Sequence, residues 1–180
     1  MKRIIVFIVL GLGLTTTAQD ASVEKSIFGV QTGYLGVWAH NELKILDELV
    51  IRTELGFDAG LFGDSVNGID EFLLTPVLSL EPKWYYNLKK RANASKDIKG
   101  NSANFISLKV GHHPDWFVIS SNSGTNIKKD ISVVPTWGIR RNLGANFNYE
   151  LGAGVGYFHY LQEDKGDVAL NLHVRIGLKL

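Results

Sequence analysis

Residues 168–180, VALNLHVRIGLKL, alternate without a slip. Val168, Leu170, Leu172, Val174, Ile176, Leu178 and Leu180 take one face, and Ala169, Asn171, His173, Arg175, Gly177 and Lys179 take the other. Period two over this length marks a β-strand with one dry face. About 12 intervals at roughly 3.3 Å give roughly 40 Å of strand. Tilted by about 45°, that strand matches a bilayer hydrocarbon core of about 25–30 Å.

The same pattern recurs upstream. Residues 26–39 read as a strand with Phe28, Val30, Thr32, Tyr34 and Trp38 on one side. Residues 48–61 set Leu49, Ile51, Leu55, Phe57 and Ala59 against Glu48, Arg52, Glu54 and Asp58. Further alternating runs cover 72–84, 104–111, 131–140 and 147–157, and no window keeps a helical period. Reading 112–115 as a turn makes 116–121 a short eighth strand. A single bent strand over 104–121 would leave an odd count, against the even number of bacterial barrels. The expected fold is therefore all-β: one antiparallel, up-and-down transmembrane barrel of eight strands. In that register the long basic segment 88–104, with SNSGTN and QEDKGD, falls opposite the termini, and GDSVNGID (63–70) falls on the terminus side. RRNLGAN (140–146) is a tight hairpin with Gly144 available for a positive φ.

Three features point the apolar faces outward. The polar faces carry Glu48, Glu54, Asp58, Glu81 and Glu150 with Arg52, Lys83, Lys109, Arg140, Arg175 and Lys179. These near-balanced charges suit a lumen that side chains just fill, where each must be paired. Trp38, Trp84, Tyr85, Tyr86, Trp137, Phe147, Tyr149 and Tyr157 gather near strand ends, as at membrane interfaces. Gly152, Gly154 and Gly156 lie on the polar face, where a crowded lumen leaves no room for larger groups. Pro76, Pro82 and Pro135 argue the other way, since each removes a ladder hydrogen bond.

Residues 1–19 read as a cleaved signal peptide. Lys2 and Arg3 precede an apolar run over 4–14 and small residues over 15–18, and the run is shorter than the roughly 18–20 residues of a spanning helix. Residues 20–180 then form one barrel domain, exported to the outer membrane. The chain contains no cysteine, which excludes disulfide scaffolds, thiol catalysis and a lipoprotein anchor. Setting aside Lys2 and Arg3 leaves 17 basic against 18 acidic residues, no footprint for nucleic acid.

EPKWYYNLKKR (81–91), DWFVIS (115–120), PTWGIRRNLG (135–144) and NYELGAGVGY (148–157) give the chain its resemblance to small, uncharacterised outer-membrane β-barrel proteins of Gram-negative bacteria, of the kind common in the Bacteroidetes. That resemblance implies outer-membrane lipid, lipopolysaccharide and the barrel-assembly machinery as partners, a monomeric barrel, and no cofactor.

Candidate chemistry is sparse. His112 and His113 are adjacent and would point to opposite faces, poor geometry for one metal. His159 near Tyr160, His40 near Glu42 and the hydroxyls of 120–123 form no triad. His173 beside Arg175 reads as a hydrogen-bonded luminal group. The basic residues Lys89, Lys90, Arg91, Lys96 and Lys99 read as a solvated loop, or as a site for lipopolysaccharide phosphates. The expected role is non-enzymatic: membrane integrity, surface contact or limited permeation. A lipocalin-like soluble carrier and a lipid A-modifying barrel enzyme are the alternatives.

Overall fold

The computed structural model describes residues 21–62, 71–121 and 128–180; the expected signal peptide lies outside them. The strands are β1 (Ser26–Gly33), β2 (Gly36–Leu46), β3 (Leu49–Phe62), β4 (Glu71–Trp84), β5 (Asn104–His113), β6 (Ile119–Ser120), β7 (Asp130–Leu143), β8 (Phe147–Tyr160) and β9 (Lys165–Lys179). A short helix α1 (Leu88–Asn93) and a 3-10 turn (Lys99–Asn101) lie between β4 and β5. All but β6 form one closed, antiparallel, up-and-down barrel of eight strands, sealed where β1 pairs with β9 and β3 with β4.

Following paired residues once around measures the stagger. From Lys179 the path runs through Gly29, His40, Glu54, Ser79, Gly111, Ser132 and Phe158, and returns to β9 at Asp167, twelve residues away. A stagger of that size tilts the strands by roughly 45°.

The count of eight holds, but two of its members differ from the expected ones. Residues 26–39 are not one strand: Tyr34 and Leu35 make a two-residue turn, and β2 follows it. Residues 116–121 supply only β6, which pairs with Leu73 and Leu74 of β4. The turn also exchanges faces. Even-numbered residues of β1 point outward, whereas even-numbered residues of β2 point inward, so Trp38 lies buried opposite Gln31 and does not join an outer aromatic girdle.

The connections are placed differently too. β1 starts and β9 ends at one end of the barrel, and the connection from β4 to β5 lies at that same end. The long basic segment thus sits beside the termini, contrary to expectation. β3 ends and β4 begins at the opposite end; residues 63–70, expected on the terminus side, lie outside the described residues.

The basic segment is a plug rather than a solvated loop, because apolar residues are spaced through it. Leu88, Ala103 and Phe105 are fully buried with Tyr85, Val50 and Val23, and Ile98 packs against them. Tyr85, expected at the outer girdle, instead meets Phe105 edge-on with ring centroids 5.8 Å apart. Polar ties lock the plug: Asn104 N–H donates to Asn87 Oδ1 (2.8 Å), and Glu24 N–H donates to Asn101 Oδ1 (2.9 Å). Asn142 Nδ2 donates to Asp97 Oδ2 (2.7 Å). Gly144 takes φ 74° in the β7–β8 turn, as its sequence context requires.

The prolines are absorbed by local breaks. The bridges of β4 to β5 skip Glu81 and Pro82, and those of β7 to β8 skip Val134 and Pro135. Pro76 lies between the stretch of β4 paired with β5 and the stretch paired with β6.

Phe105→Ala should lower the unfolding free energy by about 3–5 kcal/mol, the usual cost of deleting a buried phenyl ring, measurable by urea titration. The Asn142 amide, and after it the Lys99 backbone N–H, hold the Asp97 carboxyl below its ordinary value. A depressed carboxyl contributes stability that is full above the unfolded value of about 3.9 and is lost as pH falls through the folded one. Asp97→Asn should therefore lower the unfolding midpoint at neutral pH and leave it almost unchanged below the folded value, which flattens the acid limb of a plot of midpoint against pH.

Candidate functional site

Strand parity delivers the charged side chains to the lumen. Even positions of β2, β3, β7 and β8 and odd positions of β4, β5 and β9 point inward, which gathers Glu42, Arg52, Glu54, Arg140, Glu150, Glu81, Lys83, Lys109 and Arg175. Arg52, Glu42 and Lys83 are completely buried.

The pairing runs through three carboxylates. Glu54 receives Arg52 (2.6 Å), Arg175 (2.8 Å) and Lys109 (3.2 Å). Glu150 receives Arg140 (2.6 Å) and Lys83 (2.9 Å), with Arg52 at 3.5 Å. Glu42 receives Arg140 (2.7 Å) and Arg52 (3.4 Å), together with the Tyr85 hydroxyl (3.1 Å) and Asn101 Nδ2 (2.9 Å) of the plug. Glu81 accepts from Ser107 Oγ at 2.6 Å. Several links join strands that are not neighbours: β3 to β9, β2 to β7 and β4 to β8. They bolt the barrel across its interior as well as around its wall.

Aromatic faces complete the lining. Arg175 stacks on Trp38 and Lys83 on Phe105, each 3.9 Å from the ring centroid, a cation–π geometry that adds attraction where water is scarce. The glycines fit the crowding expected of them. A Cβ on Gly154 would lie 2.3 Å from the Pro135 carbonyl oxygen, and one on Gly156 would lie 2.1 Å from that of Val133.

Toward the end opposite the termini, His113 bridges two carboxylates. Its Nδ1 is 2.9 Å from Asp130 Oδ1 and its Nε2 is 3.1 Å from Asp58 Oδ2, while Trp38 Nε1 donates to Asp58 Oδ1 at 2.7 Å. His173 lies within 3.5 Å of Glu150 and 3.1 Å of Asn171, as a hydrogen-bonded luminal group. Among the described residues no group of three or more His, Asp or Glu side chains is arranged to hold a metal ion.

Two of the expected network members lie elsewhere. Glu48 sits in the β2–β3 turn, where its backbone oxygen accepts from Tyr85 N–H, so its side chain is not part of the network. Lys179 is on the rim at the terminus end, paired with Glu24 at 2.5 Å and about one-third exposed. The sequence reading placed Gln31 and Asp58 on the luminal face, as found, but overlooked Glu42 and His40 as luminal groups and the joining of His113 and Asp130 to Asp58. The signal for β2 was present in VWAHNELKI (37–45), whose odd positions are Val37, Ala39, Asn41, Leu43 and Ile45. Asn41 broke it. That outward amide donates to Ser26 Oγ (3.1 Å) and to the Ile27 carbonyl (3.2 Å), which is how it is satisfied on an apolar face.

Chemically, a lumen of mutually paired ions holds the wall together. Comparison of the chain with protein-family models, with curated proteins and with solved structures finds no match.

Glu54→Ala would leave Arg52, Arg175 and Lys109 without their shared counter-ion. Truncating one side of a buried pair typically costs about 3–5 kcal/mol. The variant should unfold at correspondingly lower denaturant concentration, and Glu54→Gln, which keeps part of the hydrogen bonding, should fall between it and the parent.

Proposed function

We propose that the chain is an integral outer-membrane barrel of Gram-negative type whose work is structural or at the surface, with at most limited permeation. The observation that carries this reading is the inversion of polarity across the wall. On β9, Val168, Leu170, Leu172, Val174, Ile176 and Leu178, with Leu180 beyond its end, are all exposed, while Arg175 between them is buried. The same inversion runs around the barrel. Phe28, Val30, Leu43, Leu55, Leu80, Ile106, Val133 and Val155 face outward, opposite ionised groups that face inward. An apolar band of this extent is costly in water and favourable in hydrocarbon.

Aromatic side chains support the same reading. At the terminus end Trp84 and Tyr86 pack edge-on, and Trp137 Nε1 donates to the Tyr86 hydroxyl at 3.0 Å. Tyr157, Trp116 and Phe117 lie exposed toward the other end. The leader-like residues 1–19 supply an export route. A soluble carrier of an apolar ligand would need the opposite arrangement, with its apolar side chains around an internal cavity. Membrane lipid is then the immediate partner on every side.

With the termini in the periplasm, the plug and its lysines face the periplasm, and the His113 cluster faces the exterior. Both the plug and the ion pairs stand in the way of an axial pore, and a wide aqueous channel takes about 16 or more strands.

Expression with residues 1–19 intact tests the reading. The protein is expected in the outer-membrane fraction, resistant to carbonate extraction, with heat-modifiable mobility in detergent gels and no steady conductance in planar bilayers. Recovery in detergent-free buffer as a folded monomer would overturn it.

A further inference from the structure

Among the described residues, the closed barrel wall is shorter on one side. β1 pairs with β9 only from Gly29↔Lys179 to Gly33↔Arg175, and the hairpin then turns at Tyr34 and Leu35. β9 runs on to Lys165 with β8 on one side and, among the described residues, no strand on the other. The last contact of the hairpin with β3 is the Ala59 N–H donating to the Leu35 carbonyl at 2.8 Å, while β3 continues to Phe62. Above the hairpin, β9 and β3 therefore face each other across the space that β1 and β2 fill lower down.

The depth of this notch gives it meaning, on the reading that the barrel spans a membrane. Gly33, the last residue of β1, pairs with Arg175, which adjoins Val174, the middle residue of the exposed apolar run Val168–Leu180. The gap thus begins near the middle of the apolar band and opens toward the end away from the termini. Hydrocarbon cannot satisfy a free strand edge, and such backbone is tolerated at that depth only where it lines a wet cavity or meets a polar partner. Tyr34, 76 % exposed at mid-band, carries a hydroxyl that needs the same.

A groove of about 620 Å³ lies beside the hairpin tip, over the outward faces of β7, β8 and β9. Its lining joins outward Leu172, Val174 and Tyr34 to inward Trp38 and His173. The sill beneath is the Arg175–Trp38 stack, and Arg175 Nε is buried without a hydrogen-bond partner among the described residues.

We propose that the notch is a lateral portal that binds a single-chain amphiphile, its alkyl chain in the groove and an oxygen-rich, anionic head such as a carboxylate at the Arg175 Nε–H. A molecule using it passes between the outer leaflet and the upper lumen without crossing the ion pairs or the plug. The free edges fit this occupant better than an added strand. Among the described residues neither β1 nor β2 reaches into the gap, so one strand from a partner would leave an edge still unpaired.

The test is photolabelling of the whole mature chain in phosphatidylcholine vesicles containing a diazirine-bearing palmitic acid, with adducts mapped by mass spectrometry. Adducts are expected on luminal Trp38, Asn171 or His173 as well as on outward residues. Arg175→Met, and separately Asn171→Trp, which fills the notch without touching the ion pairs, should abolish the luminal adducts and leave those on outward Trp137 and Leu151. Outward adducts alone in the parent chain would overturn the portal while leaving the membrane reading intact. Cross-links joining the β9 strands of two copies would overturn it in favour of strand pairing between copies. Recovery as a folded, detergent-free monomer would instead remove the membrane reading on which the portal rests.

Discussion

Ionised side chains sealed inside a narrow barrel set the terms for the rest of this structure. A carboxylate such as Glu54 or Glu150 loses its water when the wall closes, and the loss is tolerable only if cations arrive at hydrogen-bonding distance. Here they arrive from several strands at once. Glu54 collects arginines from β3 and β9 and a lysine from β5, and Glu150 collects its partners from β4 and β7. A slip of one residue in any of these strands would turn a charge to the apolar face and strand its partner inside. The network therefore selects one register for the whole barrel, beyond what the hydrogen-bonded ladders specify pair by pair.

Parity explains what could be read from the chain and what could not. β3, β8 and β9 alternate cleanly, and the luminal positions of Arg52, Glu54, Glu150 and Arg175 follow from that alternation alone. β2 does not alternate so cleanly, because Asn41 points outward and takes its hydrogen bonds from β1. Reading through the Tyr34–Leu35 turn as one strand therefore kept Trp38 on the wrong face and hid Glu42. Residues 116–119 misled for the opposite reason. Trp116, Phe117, Val118 and Ile119 are consecutively apolar, which is not the signature of a strand with two different faces. The plug was harder still. Leu88, Ile98 and Phe105 are too widely spaced among lysines and asparagines to show a period, and only their convergence on Tyr85 and Val50 reveals a core.

The two ends of the barrel solve different problems. At the terminus end the lumen is closed by apolar packing, and the plug also takes part in the electrostatics, since Tyr85 and Asn101 both bond to Glu42. Its basic side chains then face outward, where water is available. At the opposite end the inward residues of β9 are Ala169 and Asn171, and those of β7 are Ser132 and Val134. The charged cluster there, His113 with Asp58 and Asp130, keeps partial solvent access.

That gradient accounts for the point at which the β1–β2 hairpin stops. Arg175 is the last residue of β9 to pair with β1, and it is also the cation that β9 gives to Glu54. Below it the wall must be complete, because a break would expose buried ion pairs to a competing solvent or to hydrocarbon. Above it the inward side chains of β9 are His173, Asn171 and Ala169, polar or small groups that water can wet at little cost. A shorter wall there leaves the ion pairs shielded and stable. The point at which the hairpin can stop is thus set by the link from β9 to Glu54.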